Sequence, residues 1–427
     1  MVQLSDDSHT ALHDMTVLIV AYRSANKLEK CLRSVERHLP GCDVHVWDNS
    51  GPSCSEVRGL QHRFRHVNWH VGGENIGFAA AVNRLATLVP DRDFLLLNPD
   101  AELVGPLALT CAAIRDSRIA AAAPMVCDSA AEIRPAPFLS RKSLPWDVAH
   151  RKLTFLNALG APIGLANRLR GTCFSNLYRS QPLDVDGYLT GACLAISRDA
   201  WDSVGPFDEE FFLYGEEADW QRRAMMSGWG VRLENEIGAR HSAYGTVATD
   251  VAASRRSGDL LRASMALQLE YRYGVRTAEF YLAGVGLLEN VRQKLRGADD
   301  RDVPHCTVLI TVDQSRASAG PISTAIALTQ GGFRVAVVSL DRLGSLPREL
   351  PSSIRLLRRP WWWPSMLPEQ TPLVLVTGHS KKERAFARLF RLRRNAVCIE
   401  SRDAISTLIG RTPCQEQAAL SGDIEST

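Results

Sequence analysis

The sequence predicts an α/β protein: a mostly parallel sheet with helices on both faces, followed by a second, smaller α/β unit. Three observations carry this. Apolar runs of strand length alternate with segments of helical spacing from residue 16 to residue 97. A charged, turn-like stretch at residues 298–302 interrupts the pattern, and the same alternation resumes after it. A length of 427 residues is enough for two or three domains.

Residues 16–22 (TVLIVAY) are a continuous apolar run, as expected of a buried strand. Residues 26–38 place Leu28, Cys31, Leu32 and Val35 on one helical face, and Pro40 with Gly41 stops that helix. Residues 43–47 form a second strand that runs into the turn cluster Asp48-Asn49-Ser50-Gly51. Residues 66–71 are a third strand, 77–89 a helix, and 93–97 a fourth strand ending at Asn98-Pro99-Asp100. Ligands of open α/β sheets bind beyond the carboxyl ends of strands. Tyr22-Arg23-Ser24, Asp48-Asn49-Ser50 and Asn98-Pro99-Asp100 are therefore expected along one edge.

Periodicity fades over residues 134–178 and returns in the apolar residues 185–197 around Gly187 and Gly191. A loop at 205–217 leads into a helix through Arg223, a short strand follows at 228–233, and 263–272 and 277–295 are helical. Beyond the linker, strands are expected at 306–312, 334–340, 373–377 and 396–400, with helices at 322–328 and up to 394. The chain thus divides into a loose tail at 1–14, a first domain at 15–297, a linker at 298–304, a Rossmann-like α/β unit at 305–411 and a loose tail at 412–427.

The net charge of +3 does not mark a nucleic-acid binder, so no nucleic-acid partner is expected. Ten cysteines contain no C-x-x-C pair, which points to reduced, buried thiols such as Cys111, Cys193 and Cys306. The polar, acidic start lacks the pattern of a secretory signal, and no stretch reaches the roughly 18 apolar residues needed to span a bilayer. The expectation is a cytoplasmic protein, with peripheral contact at the inner face of the cell membrane left open.

Two groups of residues carry chemistry. In Leu95-Leu96-Leu97-Asn98-Pro99-Asp100-Ala101 an apolar strand delivers one carboxylate to the sheet edge. A diphosphate leaving group needs a hard cation, and Mg²⁺ or Mn²⁺ takes oxygen ligands such as Asp100. Far away in sequence, residues 207–220 (FDEEFFLYGEEADW) pack acids among aromatics. Glu216 and Glu217 are adjacent at a helix start and point in different directions, so one can face a cleft while the other complements the helix N-terminus. Asp219 and Arg223, four apart, can pair along the helix. A carboxylate base and a metal-binding carboxylate are the minimum set for sugar transfer with inversion.

In order and spacing, these motifs resemble an inverting family 2 glycosyltransferase with the GT-A fold, of the rhamnosyltransferase type, from about Thr16 to Gly297. The match runs through Val20-Ala21-Tyr22-Arg23-Ser24, Trp47-Asp48-Asn49-Ser50, Glu74-Asn75-Ile76-Gly77-Phe78-Ala79 with Asn83, and Leu97-Asn98-Pro99-Asp100-Ala101. It continues through Gly191-Ala192-Cys193-Leu194, Val204-Gly205-Pro206-Phe207-Asp208-Glu209 and Glu216-Glu217-Ala218-Asp219-Trp220, and ends near His241.

The resemblance implies that Asp48 contacts the nucleotide base, with Ala21 and Tyr22 lining the same pocket. It implies that Asn75, Gly77 and Asn83 shape the donor site, and that Asp100 holds the metal with Asn98 in place of the first acid of the family's D-x-D motif. Glu217 falls where many members carry an Asp base, and Glu216 is its rival. His241 falls where some members supply a late histidine to the metal or diphosphate, and a structural histidine is the other reading. The implied partners are a nucleotide-sugar donor, such as dTDP-rhamnose, and a saccharide or lipid-linked acceptor. A UDP-hexose donor is the nearest alternative. A sugar nucleotidyltransferase would carry a glycine-rich loop where Ala21-Tyr22-Arg23-Ser24-Ala25-Asn26 stands, and a non-catalytic saccharide-binding protein is the third reading.

Four features lie outside this set. His62, His66 and His70 are spaced four apart, but His70 falls on an expected strand, which argues against a three-histidine metal site. Residues 141–170 mix Arg and Lys with Trp146, Phe155 and Leu156, a composition suited either to anionic headgroups or to a solvated insertion. The second unit resembles the front half of the N-terminal domain of a GT-B glycosyltransferase, with Ser318-Ala319-Gly320-Pro321 as its glycine turn, and is expected to be non-catalytic. Trp361-Trp362-Trp363 is expected to divide between packing and surface.

Overall fold

The computed structural model describes residues 15–51, 55–128, 149–151, 154–160, 183–241, 251–296, 304–311, 319–362, 373–376, 380–390 and 397–399. Both expected tails, residues 298–303, Ser318, Trp363 and most of the basic segment 141–170 lie outside them.

The chain runs β1 (Met15–Ala21), α1 (Ala25–His38), β2 (Val44–Asp48), α2 (Ser55–Arg63), β3 (Asn68–Val71), α3 (Phe78–Thr87), β4 (Asp93–Leu97), β5 (Ala101–Leu103) and α4 (Ala108–Ala113). It continues through β6 (Ile119–Asp128), β7 (Ala149–Arg151), α5 (Phe155–Gly160), β8 (Leu183–Asp184), β9 (Gly187–Leu189), β10 (Cys193–Ile196), α6 (Arg198–Val204), α7 (Glu216–Met226) and β11 (Gly230–His241). The paired helices α8 (Val251–Tyr273) and α9 (Val275–Arg296) follow. The remainder is β12 (Cys306–Ile310), α10 (Ala319–Gln330), β13 (Val335–Ser339), α11 (Leu346–Glu349), β14 (Arg355–Arg358), β15 (Leu373–Val376), α12 (Lys381–Phe390) and β16 (Val397–Ile399).

Two compact units result: residues 1–153 with 164–249, and residues 154–163 with 250–427. The first holds a nine-stranded sheet in the order β3-β2-β1-β4-β10-β6-β11-β5, with β8 beside β11. Strands β3, β2, β1 and β4 are parallel, whereas β10 runs antiparallel to both β4 and β6. The expected parallel sheet is therefore its first half, and the second half is mixed. All seven residues of β1 are buried, which is why it reads as an unbroken apolar run. Helix α1 buries Leu28, Cys31, Leu32 and Val35, the face that the spacing predicts.

Strand β6 is absent from the sequence reading because Ala120 to Ala123 favour helix by propensity. All four are fully buried here, and β6 pairs with both β10 and β11, so tertiary packing overrides propensity. Strand β11 is twice the expected length: register shifts near Leu233 and Ile237 let it continue to His241.

The second unit is a five-stranded parallel sheet in the order β14-β13-β12-β15-β16. Its boundary differs from the one expected at residue 298, because α8 and α9 belong to this unit. The reason is charge as well as packing. Asp259 on α8 pairs with Arg355 at 3.0 Å and Arg262 at 3.1 Å, and Glu270 pairs with Arg358 and, at 2.9 Å, with Arg342. Glu289 on α9 bonds Arg262 at 2.7 Å and Arg359 at 3.3 Å, and Arg256 donates to the Ile354 carbonyl. Strand β14, which the sequence reading lacked, carries Arg355 and Arg358, with Arg359 just after it.

Trp361 packs against the sheet's apolar core, and the half-buried Trp362 meets Phe280 edge-on at 5.5 Å between ring centres and donates from Nε1 to Glu279 at 2.8 Å, so both are packing residues; Trp363 lies outside the described residues. Among the described residues, no helix is long and apolar enough to cross a membrane, and the cysteines there are free.

Burial pushes the Glu270 carboxyl up, but Arg358 and Arg342 outweigh it and hold the group below its ordinary value. A depressed carboxylate stabilises the fold above its unfolded pKa, and this contribution is lost as pH falls through the folded pKa. Glu270→Gln is expected to cost about 3 kcal/mol near neutral pH. Urea unfolding of variant and wild type should show the difference shrinking below pH ~4.

Candidate active site

The site begins where parallel strands end together. Ala21 and Asp48 are register partners at the ends of β1 and β2, and the Asn49 N–H donates to the Ala21 carbonyl at 2.8 Å. The Asp48 side chain is buried and its Oδ1 accepts the Ser50 N–H at 2.8 Å. Tyr22 is half-buried beside it, with the Arg23 guanidinium 5.2 Å from its ring centre. The three residues expected to form the nucleotide pocket are thus neighbours.

Asn49 is the residue whose importance sequence reasoning missed. Its buried amide accepts from Trp47 Nε1 at 3.0 Å and from the Ile76 N–H at 3.3 Å, and donates to the Gly77 carbonyl at 3.0 Å. It ties the end of β2 to the loop before α3. Its position directly after Asp48 was the available signal. In that loop Asn75 Oδ1 accepts the Gly77 N–H at 3.0 Å, closing a side-chain turn.

Gly77 has φ +89°, and a Cβ built there would lie 2.6 Å from the Phe212 carbonyl oxygen. The next N–H, of Phe78, donates to that same carbonyl at 2.8 Å. Only glycine allows the two loops to approach this closely. Asn83 completes the junction from α3. Its amide exchanges hydrogen bonds with the Phe207 backbone at 2.9 and 3.0 Å and donates to Glu209 at 3.2 Å. Its amide therefore holds the 207–212 loop in place.

Asn98 and Asp100 follow β4. Strand β5 pairs antiparallel with the end of β11, with Ala101 opposite His241. That register sets His241 Nε2 2.9 Å from Asp100 Oδ1 and 3.3 Å from Asn98 Nδ2. Both Asp100 and His241 keep 12% side-chain exposure. Adjacent vertices of an octahedron with ligands at about 2.1 Å lie about 3 Å apart, so the pair fits a hard divalent cation. Among the described residues no group of three or more His, Cys, Asp or Glu gathers as a metal site. A Mg²⁺-like ion needs only one or two protein ligands when substrate phosphates supply the others.

The two adjacent glutamates separate clearly. Glu216 is buried and its Oε2 has no hydrogen-bond partner. Burial first, and the neighbouring Glu217 second, push its carboxyl well above the ordinary range. Glu217 is half-buried against Gly191, and its Oε2 accepts the Gly215 N–H at 3.1 Å. Burial raises its pKa as well, opposed by nearby backbone N–H groups including those of Gly215, Gly191 and Ala218. The loop holding Gly191 also reaches β4: the Ala192 carbonyl accepts the Asn98 N–H at 3.0 Å.

Helix α7 is anchored behind these residues. Asp219 is buried and bonds Arg222 at 2.7 Å and Arg223 at 2.9 Å, and Trp220 donates from Nε1 to the Gly205 carbonyl at 2.8 Å. The histidine series forms no site. His66 pairs with Glu36 at 3.3 Å, while His70 lies on β3 with its ring 3.1 Å from His45.

Comparison with known proteins bears on this constellation. No family model matches the chain. It is 28% identical over 269 residues to the N-acetylglucosaminyl-diphospho-decaprenol L-rhamnosyltransferase of Mycobacterium tuberculosis, covering 57% of this chain and 82% of that protein. It is 23% identical over 251 residues to the low-salt glycan biosynthesis hexosyltransferase Agl10 of Haloferax volcanii, covering 55% of this chain and 68% of that one. Among solved structures, a Pyrobaculum calidifontis mannosyltransferase in complex with GDP-Man and Mn²⁺ matches with TM-score 0.39 at 14% identity, over 67% of this chain and 82% of that chain. Residues 1–349 of S. aureus TarS match with TM-score 0.38 at 11% identity, over 68% of this chain and 76% of that chain.

The Gly77–Phe212 approach yields a direct test. Gly77→Ala adds strain of about 1–3 kcal/mol and forces the two loops apart. Calorimetric titration with nucleoside diphosphates should give at least about tenfold weaker binding, with a thermal midpoint lowered by roughly 2–12 °C.

Proposed function

We propose that this chain, a homologue of rhamnosyl- and hexosyltransferases, is an inverting, metal-assisted glycosyltransferase. Its donor is a nucleotide sugar, with dTDP-rhamnose as the specific proposal, and its acceptor is a lipid-linked saccharide. The observation that carries this reading is the meeting of Asp100 and His241 at 2.9 Å on the sheet edge that also holds Asp48. The rhamnosyltransferase relative, whose name specifies a lipid-diphosphate-linked sugar acceptor, supports the choice of sugar and acceptor.

In this mechanism Ala21, Tyr22 and Asp48 receive the nucleoside, and the 75–78 loop braces the donor. Asp100 and His241 would hold a Mg²⁺ or Mn²⁺ ion, which when bound would supply positive charge opposite the departing diphosphate. Glu217 is the base. Its carboxylate takes the proton of an acceptor hydroxyl as that oxygen bonds to the anomeric carbon, while the bond from that carbon to the diphosphate oxygen breaks on the opposite face. The Gly215 N–H holds one of its carboxylate oxygens. Glu216 stays neutral, so Glu217 carries the only charge of the pair at the start of α7.

The reading is tested with a panel of dTDP-, UDP- and GDP-sugars, with and without Mn²⁺, for wild type and Asp100→Ala. Metal-dependent consumption of one donor, reduced at least about a hundredfold in Asp100→Ala, is the expected result. Failure of every donor to bind or turn over overturns it.

The glutamates give a second test. Glu217→Gln should lower kcat by about 10²–10⁴, while Glu216→Gln, an amide in place of a neutral acid, should lower it by less than about tenfold. Because the Glu217 pKa is raised, wild-type kcat/KM should fall on acidification already above pH 4.5, the ordinary value of the group. Equal losses in both variants, or no acidic limb, would remove Glu217 from the role.

A further inference from the structure

Strand β9 has β7 as its strand neighbour among the described residues. A side chain takes the place of a second one. The Leu189 N–H donates to Gln221 Oε1 at 2.8 Å, and Gln221 Nε2 donates to the Leu189 carbonyl at 2.8 Å. Both residues are fully buried. An amide paired in this way reproduces the two-bond exchange between facing residues of antiparallel strands. Away from water, breaking it would strand polar groups on both partners.

Gln221 lies one helical turn after Glu217, on the same face of α7. The face that carries the proposed base therefore also grips β9. From Leu189 the chain reaches Ala192 in three residues, a span of at most about 11 Å. Within that span Gly191 lies against Glu217. A Cβ built on Gly191 would stand 3.7 Å from Glu217 Cγ, and the Gly191 N–H is one of the groups that oppose the effect of burial on the Glu217 carboxyl. At the end of the span the Ala192 carbonyl accepts the Asn98 N–H at 3.0 Å, and Cys193 opens β10 in register with Leu97 of β4. The clamp at Leu189 thus ties the start of α7, through a short segment, to the strand end that carries Asn98 and Asp100. The titratable groups that feel the Glu217 charge include Glu216 on its own helix and Tyr188 on β9, whose phenol is raised by burial first and by Glu217 second.

We propose that Gln221 is a positioning residue for the reaction: its amide fixes segment 187–192 and so sets where the Glu217 carboxylate stands relative to Asp100. This rests on the transferase reading, with Glu217 as the base. A glutamine that only filled the space between α7 and β9 would be replaceable by methionine, which is similar in length and volume. What methionine lacks is the pairing with both backbone groups of Leu189.

The test compares Gln221→Met in two backgrounds, wild type and Glu217→Gln, with whichever dTDP-, UDP- or GDP-sugar wild type consumes in the presence of Mn²⁺. Gln221→Met should lower kcat at least about tenfold in the wild-type background but less than about threefold in Glu217→Gln, because a residue that acts through Glu217 has little left to misplace there. Affinity for the matching nucleoside diphosphate, measured by calorimetry, should stay within about threefold of wild type, since Asp48, Asp100 and His241 keep their own supports. The acidic limb of kcat/KM should move to higher pH, because the Gly191 N–H favours the charged form of Glu217 and its hold weakens. Gln221→Asn keeps the amide one methylene short and should show the same pattern at smaller size; it carries the comparison if the methionine variant does not fold. Unchanged kcat, equal fractional losses in both backgrounds, or an acidic limb that stays in place would mean that Gln221 only packs, and would overturn the proposal while leaving the transferase reading intact. No turnover of any donor by wild type, or full activity in Glu217→Gln, removes the reading on which it rests, and the proposal with it.

Discussion

The candidate site depends on one short pairing. Strand β5 has three residues, and its antiparallel register with the end of β11 sets His241 opposite Ala101. Asp100 and His241 are far apart in sequence, and nothing local brings them together. The β-bulges that let β11 stay in the sheet beyond Leu233 are therefore part of the site's construction. A strand that stopped where its apolar pattern stops would leave Asp100 as an isolated carboxylate after a turn.

The rest of the site is held from behind. Asn49 and Asn83 spend their amide groups on backbone atoms of the loops that surround the site. Buried amides with both ends satisfied fix loops more firmly than apolar contacts, because each lost bond would strand a polar group away from water. The same contrast separates the two glutamates: one carboxyl is fully buried with an oxygen that has no hydrogen-bond partner and its pKa pushed up, while the next is supplied with N–H groups at a half-buried position. A single residue step along the start of α7 makes this difference.

Much of the first sheet was legible in the sequence, because β1, β2, β4 and α1 each bury one consistent face or both, and burial of that kind writes itself as periodicity. Strands β6 and β14 were not legible. The alanine run of β6 becomes a strand only between its neighbours, and β14 alternates arginines with leucines whose partners lie on distant helices. The candidate site residues were named on motif order and a family resemblance. The Ala21–Asp48 neighbourhood follows from parallel topology, while the closeness of Asp100 and His241 rests on a register that no sequence pattern announces.

The helices α8 and α9 have a further consequence for how the chain can be divided. They precede the charged stretch near residue 300, so a cut there would look natural. Yet Asp259, Glu270 and Glu289 would then leave with the first part, and Arg342, Arg355, Arg358 and Arg359 would stay with the second. Each fragment would lose the partners of part of its buried charge: Glu270 its two arginines, and Arg355, Arg358 and Arg359 their acids. The helix pair and the C-terminal sheet are thus electrostatically one piece, and separating them exposes or strands these charges.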